Sequence, residues 1–149
     1  SGVNTAKYAE LFLTESREHV SAMNHQLLQL ERGAGGAEPV SAIFRAVHTI
    51  KGMSATMGYT AVAELSHELE TLLDRVRRSE ISVGPEVMEL LFRSADALEA
   101  SIEAAVRGQR APLSLSQLIL QIRSTAAARF TWPRMPTRSK AWMRPPARS

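Results

Sequence analysis

Residues 39–60 read PVSAIFRAVHTIKGMSATMGYT, a segment in which a helical pattern runs for about five turns and then stops. Pro39 suits the first turn of a helix, because the N–H that proline lacks would have no partner there. Gly58 predicts the end of the helix, and Thr60 is a candidate N-cap for the next one. Side chains three and four residues apart form one face of this helix, and they are Val40, Ile43, Phe44, Val47, Ile50, Ser54 and Met57.

The same periodicity on either side of this segment predicts three more long helices and a shorter fifth one. The expected helices cover about residues 5–32, 39–57, 60–78, 85–107 and 114–128. Long helices joined by short polar turns pack antiparallel, so we predict an all-α, antiparallel up-down four-helix bundle with an additional shorter fifth helix. The expected inward face of the first helix carries Tyr8, Phe12, Met23, Leu27 and Leu30.

Composition restricts the classes of protein to consider. The chain has 149 residues, of which 44% are hydrophobic and 22% charged, as in an ordinary domain of this size. Cysteine is absent, which excludes disulfides, thiolate metal sites and a cysteine nucleophile. No apolar run approaches the roughly 20 residues that span a bilayer. We therefore expect a cytoplasmic protein that has no membrane partner.

The net charge of +3 is distributed unevenly along the chain. Residues 1–124 contain 12 basic and 15 acidic side chains, whereas residues 125–149 contain six basic and no acidic ones. We predict a bundle over residues 1–128, followed over residues 129–149 by a basic, proline-containing tail that is disordered or derived from cloning. Arginine interleaved with tryptophan can stack on single strands, but this stretch is short and broken by proline, so no nucleic-acid partner is expected.

A histidine at the margin of the second helix is the first candidate for chemistry. His48 lies about 110° from the centre of the apolar face, next to Lys51, Gly52 and Ala55. Glycine inside a helix costs about 1 kcal/mol relative to alanine. Small neighbours leave room for a large group to approach the histidine. The alternative is that His48 is an ordinary half-exposed residue and that Gly52 allows close helix packing.

The third helix provides a carboxylate that this histidine can reach. His67 and Glu70 are three residues apart and therefore neighbours on the helix surface. The second and third helices are joined by a very short turn, so they pack antiparallel and their margins can meet. A carboxylate beside an imidazole fixes the tautomer and makes the far nitrogen more nucleophilic.

This pattern resembles the histidine phosphotransfer (Hpt) domain, and most of all the N-terminal domain of CheA-type chemotaxis histidine kinases. The resemblance covers about residues 5–128. It is carried by His48-x-x-Lys51-Gly52-x-Ser54, followed by His67 and Glu70.

The resemblance implies that His48 is a phospho-acceptor and Glu70 its hydrogen-bond partner, with Lys51 and His67 completing the polar network. It implies partner docking around four neighbouring residues, which are Gly52, Ser54, Ala55 and Arg45. The phosphoryl group would come from the ATP-binding domain of a kinase, in cis or in trans, and pass to an aspartate of a response regulator receiver domain.

The resemblance implies no cofactor in this domain, since ATP and Mg²⁺ are expected on the partner domains. The chain contains no glycine-rich nucleotide loop, so it is not expected to phosphorylate itself. A rival interpretation is a metal-binding bundle. Glu64-x-x-His67 matches half of a di-iron signature, and His48, His67 and Glu70 could in principle bind one zinc ion.

Overall fold

The computed structural model describes residues 2–128, with side chains from residue 4 onward, as five helices. No strand occurs within this range. The helices are α1 (Gly2–Glu31), α2 (Glu38–Met57), α3 (Thr60–Arg77), α4 (Pro85–Val106) and α5 (Leu115–Ala127). They confirm the predicted all-α bundle, with boundaries within a few residues of those expected.

Helices α1 to α4 form the bundle, and α5 is added to its side. Helices α1 and α3 each pack against both α2 and α4, while α5 lies mainly against α3. The core between them is formed by large apolar side chains that are shielded from solvent. The largest are Met23, Leu27, Ile43, Ile50, Leu65, Leu69, Leu72, Leu73, Leu90, Leu91, Leu98 and Ile102.

The turn between α2 and α3 sets how these two helices face each other. Gly58 adopts the left-handed conformation with φ +75°, and its N–H donates to the carbonyl of Ala55. The N–H of Tyr59 donates to the carbonyl of Ser54 at 2.9 Å, which closes the last turn of α2. The ring of Tyr59 meets Phe12 of α1 edge-to-face, with centroids 4.9 Å apart. This sharp reversal makes α2 and α3 an antiparallel pair.

Two details differ from the sequence-based expectation. Thr60 is the first residue of α3 and not its N-cap, a position that Tyr59 occupies without a side-chain cap. Tyr8 is 60% exposed and does not belong to the core, because the inward face of α1 passes through Phe12 and the neighbouring Tyr8 falls at its edge. The predicted basic tail, 129–149, lies outside the described residues.

None of the helices within residues 2–128 is both long enough and apolar enough to cross a membrane.

Candidate functional site

Glu70 of α3 joins the two polar residues of α2 in one hydrogen-bonded group. One carboxylate oxygen, Oε2, lies 2.7 Å from Nδ1 of His48, and the other, Oε1, accepts a hydrogen bond from Nζ of Lys51 at 2.8 Å. His48 and Lys51 are three residues apart on α2, so both point toward the same place on α3. The margins of α2 and α3 therefore meet at Glu70, as their antiparallel arrangement predicted.

Glu70 is held in its charged form by these two neighbours. Burial raises the pKa of Glu70, but the hydrogen bonds from Lys51 and His48 and the positive charge of Lys51 lower it. The balance places the pKa of Glu70 below its usual value. The Glu70 side chain is 19% exposed, so a charged acceptor persists here because both its oxygens have partners.

This contact determines which nitrogen of His48 can react. A carboxylate only accepts hydrogen bonds, so the neutral imidazole must carry its proton on Nδ1 to donate to Glu70. The lone pair then lies on Nε2, which makes no hydrogen bond to any residue between 2 and 128. The His48 side chain is 62% exposed, so Nε2 is available to a group that approaches from solvent.

Two further side chains, Phe44 of α2 and Arg77 of α3, lie near His48. Phe44 is one helical turn before His48 on α2, whereas Lys51 is about one turn after it. The rings of Phe44 and His48 are parallel to within 9°, with centroids 6.2 Å apart. The guanidinium carbon of Arg77, at the end of α3, lies 4.4 Å from the centroid of the Phe44 ring. The sequence pattern placed Phe44 on the apolar face of α2 and did not connect it with His48 or Arg77. The i, i+4 spacing of Phe44 and His48 was the available signal.

An open, mainly apolar groove of about 490 Å³ lies between α1 and α2 beside His48. Its exposed apolar wall comes from α1, where Tyr8 and Leu11 are 60% and 53% exposed. Its lining residues are Tyr8, Leu11, Phe12, Glu15, His48, Thr49, Gly52, Met53, Thr56 and Met57. Leu11 was missed from the sequence, although its three-residue spacing from Tyr8 was a signal for a second apolar stripe on α1.

Gly52 is exposed in the floor of this groove. A Cβ atom placed on Gly52 would meet no neighbouring atom within 4 Å. The glycine therefore does not serve close packing within the bundle, which was the alternative interpretation of this residue. Because Gly52 has no side chain, nothing at this position obstructs a group that approaches His48.

The structure separates the remaining candidate residues. Ala55 and Arg45 are exposed on α2, and Arg45 pairs with Glu38 at 2.7 Å. His67 is exposed, and within residues 2–128 its side chain makes no hydrogen bond with His48, Lys51 or Glu70. The structure therefore does not bring His67 into the group, and its role stays a prediction.

Ser54 requires a correction, because it cannot contact a docking partner. The side chain is fully buried, and its Oγ donates to the carbonyl of Lys51 at 3.1 Å. A serine in the inward face of a helix satisfies its hydroxyl on the preceding turn, and this is what Ser54 does.

The rival metal-binding interpretation gains no support from the site. Within the part of the chain that is described, no group of three or more histidine, aspartate or glutamate side chains is arranged to hold a metal ion. Glu64 instead lies 3.8 Å from Arg123 of α5, in an ion pair that includes Glu68.

Comparison with known proteins gives consistent matches. A sequence model of the family described as Hpt domain matches residues 7–119. The chain is 39% identical over 112 residues to the chemotaxis protein CheA of Bacillus subtilis, and 36% identical over 118 residues to that of Listeria monocytogenes. These matches cover 75% and 79% of this chain but 17% and 19% of the relatives, so the chain spans less than a fifth of their length.

Solved structures show the same likeness. The phosphorylated P1 domain of CheA3 from R. sphaeroides, determined in complex with CheY6, superposes with a TM-score of 0.75 at 30% identity. That match covers 82% of this chain and 97% of the other. The CheA phosphotransferase domain from Thermotoga maritima superposes with a TM-score of 0.63 at 35% identity, covering 68% of this chain and 96% of the other.

Proposed function

The chain belongs to the Hpt domain family, and from this premise we propose that it is the phospho-accepting domain of a chemotaxis-type histidine kinase. His48 is the phospho-acceptor in this proposal. The observation that carries the assignment is the 2.7 Å contact between Nδ1 of His48 and Glu70, which leaves Nε2 free on an exposed ring.

The first step is the attack of Nε2 of His48 on the γ-phosphorus of ATP. A bond forms between Nε2 and phosphorus, the bond from phosphorus to the β–γ bridging oxygen breaks, and ADP leaves. The ring becomes positively charged as this bond forms, and Glu70 stabilises that charge through the proton on Nδ1. Lys51 donates to the other carboxylate oxygen of Glu70 at 2.8 Å and so holds this carboxylate beside the ring.

The second step passes the phosphoryl group to an aspartate of a response regulator receiver domain. A carboxylate oxygen of that aspartate forms a bond to phosphorus, and the bond from phosphorus to Nε2 breaks. His48 returns to its neutral form with the proton still on Nδ1. We place ATP and Mg²⁺ on the partner domains, and the kinase domain acts in cis or in trans. We place both steps in the cytoplasm.

The groove beside His48 supports docking of a partner domain at this face. It presents exposed Tyr8 and Leu11 next to the reactive ring, and Gly52 keeps the approach open. Exposed apolar side chains gathered beside a reactive group are typical of a protein interface. Ala55 and Arg45 lie on the same helix within two turns of His48 and complete the docking surface that we propose.

Phosphorylation of the chain by a kinase domain tests this function. The chain is incubated with ATP, Mg²⁺ and the ATP-binding domain of the Bacillus subtilis relative, and the phosphorylated residue is located by mass spectrometry at alkaline pH. We expect one acid-labile phosphoryl group, on His48, and its loss in His48→Gln. The label should then move to an added response regulator.

Three other histidines serve as matched controls. His19→Gln, His25→Gln and His67→Gln should each still accept one phosphoryl group, because none of these three side chains takes the place of His48 on Glu70. Label that persists in His48→Gln, or that is lost in His19→Gln or His25→Gln, would overturn the assignment.

A further inference from the structure

The contact with Glu70 leaves one freedom of the His48 ring unrestricted. The hydrogen bond restrains the position of Nδ1, but a coupled rotation about the Cα–Cβ and Cβ–Cγ bonds can still tilt the ring plane while that hydrogen bond persists. The position of Nε2 relative to an incoming phosphorus depends on this rotation. Phosphoryl transfer relies mainly on positioning, so a second contact that fixes the ring plane would matter for the rate.

Phe44 supplies a contact of this kind. It precedes His48 by one helical turn, and the two rings are parallel to within 9° at a centroid separation of 6.2 Å. This separation falls within the range of about 4.5–7 Å over which aromatic pairs attract each other in preferred orientations. A flat neighbour limits the rotation of the imidazole plane in a way that an aliphatic side chain does not.

Arg77 and Asp74 hold Phe44 in turn. The guanidinium carbon of Arg77 lies 4.4 Å from the Phe44 ring centroid, which is within cation–π distance. Asp74 accepts a hydrogen bond from Nη2 of Arg77 at 2.6 Å. The end of α3 therefore fixes a ring on α2, just as Glu70 nearer the middle of α3 fixes the imidazole.

Burial alone does not account for this arrangement. Phe44 is half-buried, the Arg77 side chain is 43% exposed and the His48 side chain is 62% exposed. The aromatic ring thus lies between two solvent-facing groups at the edge of the core, where a leucine would also occupy the buried part. What leucine would not supply is a flat surface for the imidazole and a π face for the guanidinium.

We propose that Phe44 is a positioning residue for phosphoryl transfer at His48, and that Arg77 acts through Phe44 by holding its ring. This inference rests on the proposed function of His48. It predicts that the orientation of the imidazole, and with it the rate of the chemical step, depends on an aromatic ring at position 44.

The first test compares phosphorylation rates of Phe44→Leu and Arg77→Met with that of the wild-type chain. The kinase domain from Bacillus subtilis with ATP is one donor, and phosphoramidate, a small donor that needs no docking, is the other. We expect Phe44→Leu to lower kcat on the order of threefold to tenfold with both donors, at unchanged KM for the kinase domain. Phe44→Tyr, which keeps the ring, should restore the rate.

Two variants on α4 are the matched controls. Phe92→Leu removes a partly buried aromatic ring, and Arg93→Met removes a cation whose side chain is 48% exposed, both away from the face that carries His48. Each should lower the melting temperature by about as much as its counterpart on α2 or α3 and leave the phosphorylation rate unchanged. Equal rate losses in these controls would show that Phe44 acts only through stability, and would overturn the proposal.

A double variant separates the roles of the two residues. If Arg77 acts through Phe44, then Phe44→Leu combined with Arg77→Met should be no slower than Phe44→Leu alone. Rate losses that multiply would mean that Arg77 acts on the phosphoryl group by itself, and would overturn its assigned role.

An NMR measurement tests the positioning without any phosphoryl transfer. Relaxation of the ring carbons of His48 should show greater imidazole motion in Phe44→Leu than in the wild type or Phe44→Tyr, while the Nδ1–H tautomer persists. If the wild-type chain reacts and Phe44→Leu reacts equally fast with an equally ordered ring, only the positioning role is overturned. If the wild-type chain accepts no phosphoryl group on His48, the proposed function is wrong, and the positioning role of Phe44 is wrong as well.

Discussion

Helix α2 presents two different surfaces on the two sides of His48. Toward α3 the neighbours are charged, with Glu70 bound to both His48 and Lys51. Toward α1 they are mainly apolar and open, with Leu11 and Tyr8 more than half exposed. The polar side acts on the imidazole itself, whereas the apolar side offers contact area to another protein. Reactivity and partner recognition can therefore be altered by different substitutions.

The largest expected effect is on the polar side. Glu70→Gln keeps the volume of the side chain but accepts the Nδ1 proton less strongly and carries no charge against the developing imidazolium. General-base and orienting effects are worth roughly 10²–10⁴-fold, so we expect phosphorylation of His48 to slow by at least about tenfold. The rate is measured at saturating kinase domain, together with the His48 tautomer by NMR. An unchanged phosphorylation rate would show that Glu70 has no part in the reaction of His48.

On the apolar side the expected effect is on binding. Leu11→Glu places a charge in the wall of the groove and should raise the KM for the regulator or the kinase domain on the order of tenfold, with an unchanged rate from phosphoramidate. Leu28→Glu is the control, because Leu28 is 43% exposed on the same helix but does not line the groove. Equal effects of the two variants would contradict a docking role for the groove.

Gly52 lies next to His48, between the polar side of α2 and the apolar groove. Substitutions there test whether access to His48 can be changed without loss of stability. Gly52→Ala should raise the free energy of unfolding by up to about 1 kcal/mol, because a helical alanine replaces a glycine and its Cβ meets no atom within 4 Å. Gly52→Gln should leave the unfolding transition close to that of wild type but slow both phosphorylation and transfer. Chemical denaturation and transfer rates provide the two measurements, and normal transfer by Gly52→Gln would show that access is not limited there.

The smallest expected effect is the dependence of stability on pH. The pKa of Glu70 is lowered in the folded chain from an unfolded value of 4.5, so its contribution is fully present above about pH 4.5 and is lost as the pH falls through the lower folded value. Wild type should exceed Glu70→Gln in stability by at most about 1 kcal/mol near neutral pH. The difference should shrink in acid, and a difference that grows in acid would contradict the lowered pKa.

The features that depend on local pattern were predictable. The helix boundaries follow from apolar spacing and from residues that begin or end helices, such as Pro39 and Gly58. Both signals act over only a few residues of chain. The meeting of His48 with Glu70 was predictable as well, because a turn as short as Gly58–Tyr59 leaves α3 no direction except back along α2. The burial of Ser54 agrees with its place on the inward face of α2 and contradicts the docking role that the resemblance implied for it.

The features that depend on which side of one helix faces another were harder to predict from the sequence. Whether Tyr8 lies in the core or on the groove depends on a modest rotation of α1 about its axis, and periodicity does not resolve a rotation of that size. The contact of Arg77 with Phe44 joins residues 33 positions apart, and cations near a helix C-terminus have a sufficient local explanation in the helix dipole.

The sequence by itself determined the five helices, the antiparallel pairing of α2 with α3 and the set of residues able to support a reactive histidine, because each of these follows from spacing along one or two adjacent helices. Tertiary packing determined which oxygen of Glu70 meets which partner, that His67 stays outside the group, and that α1 leaves an apolar groove beside His48. These outcomes depend on rotations and translations between helices, which are set by how side chains of the whole bundle fill its core.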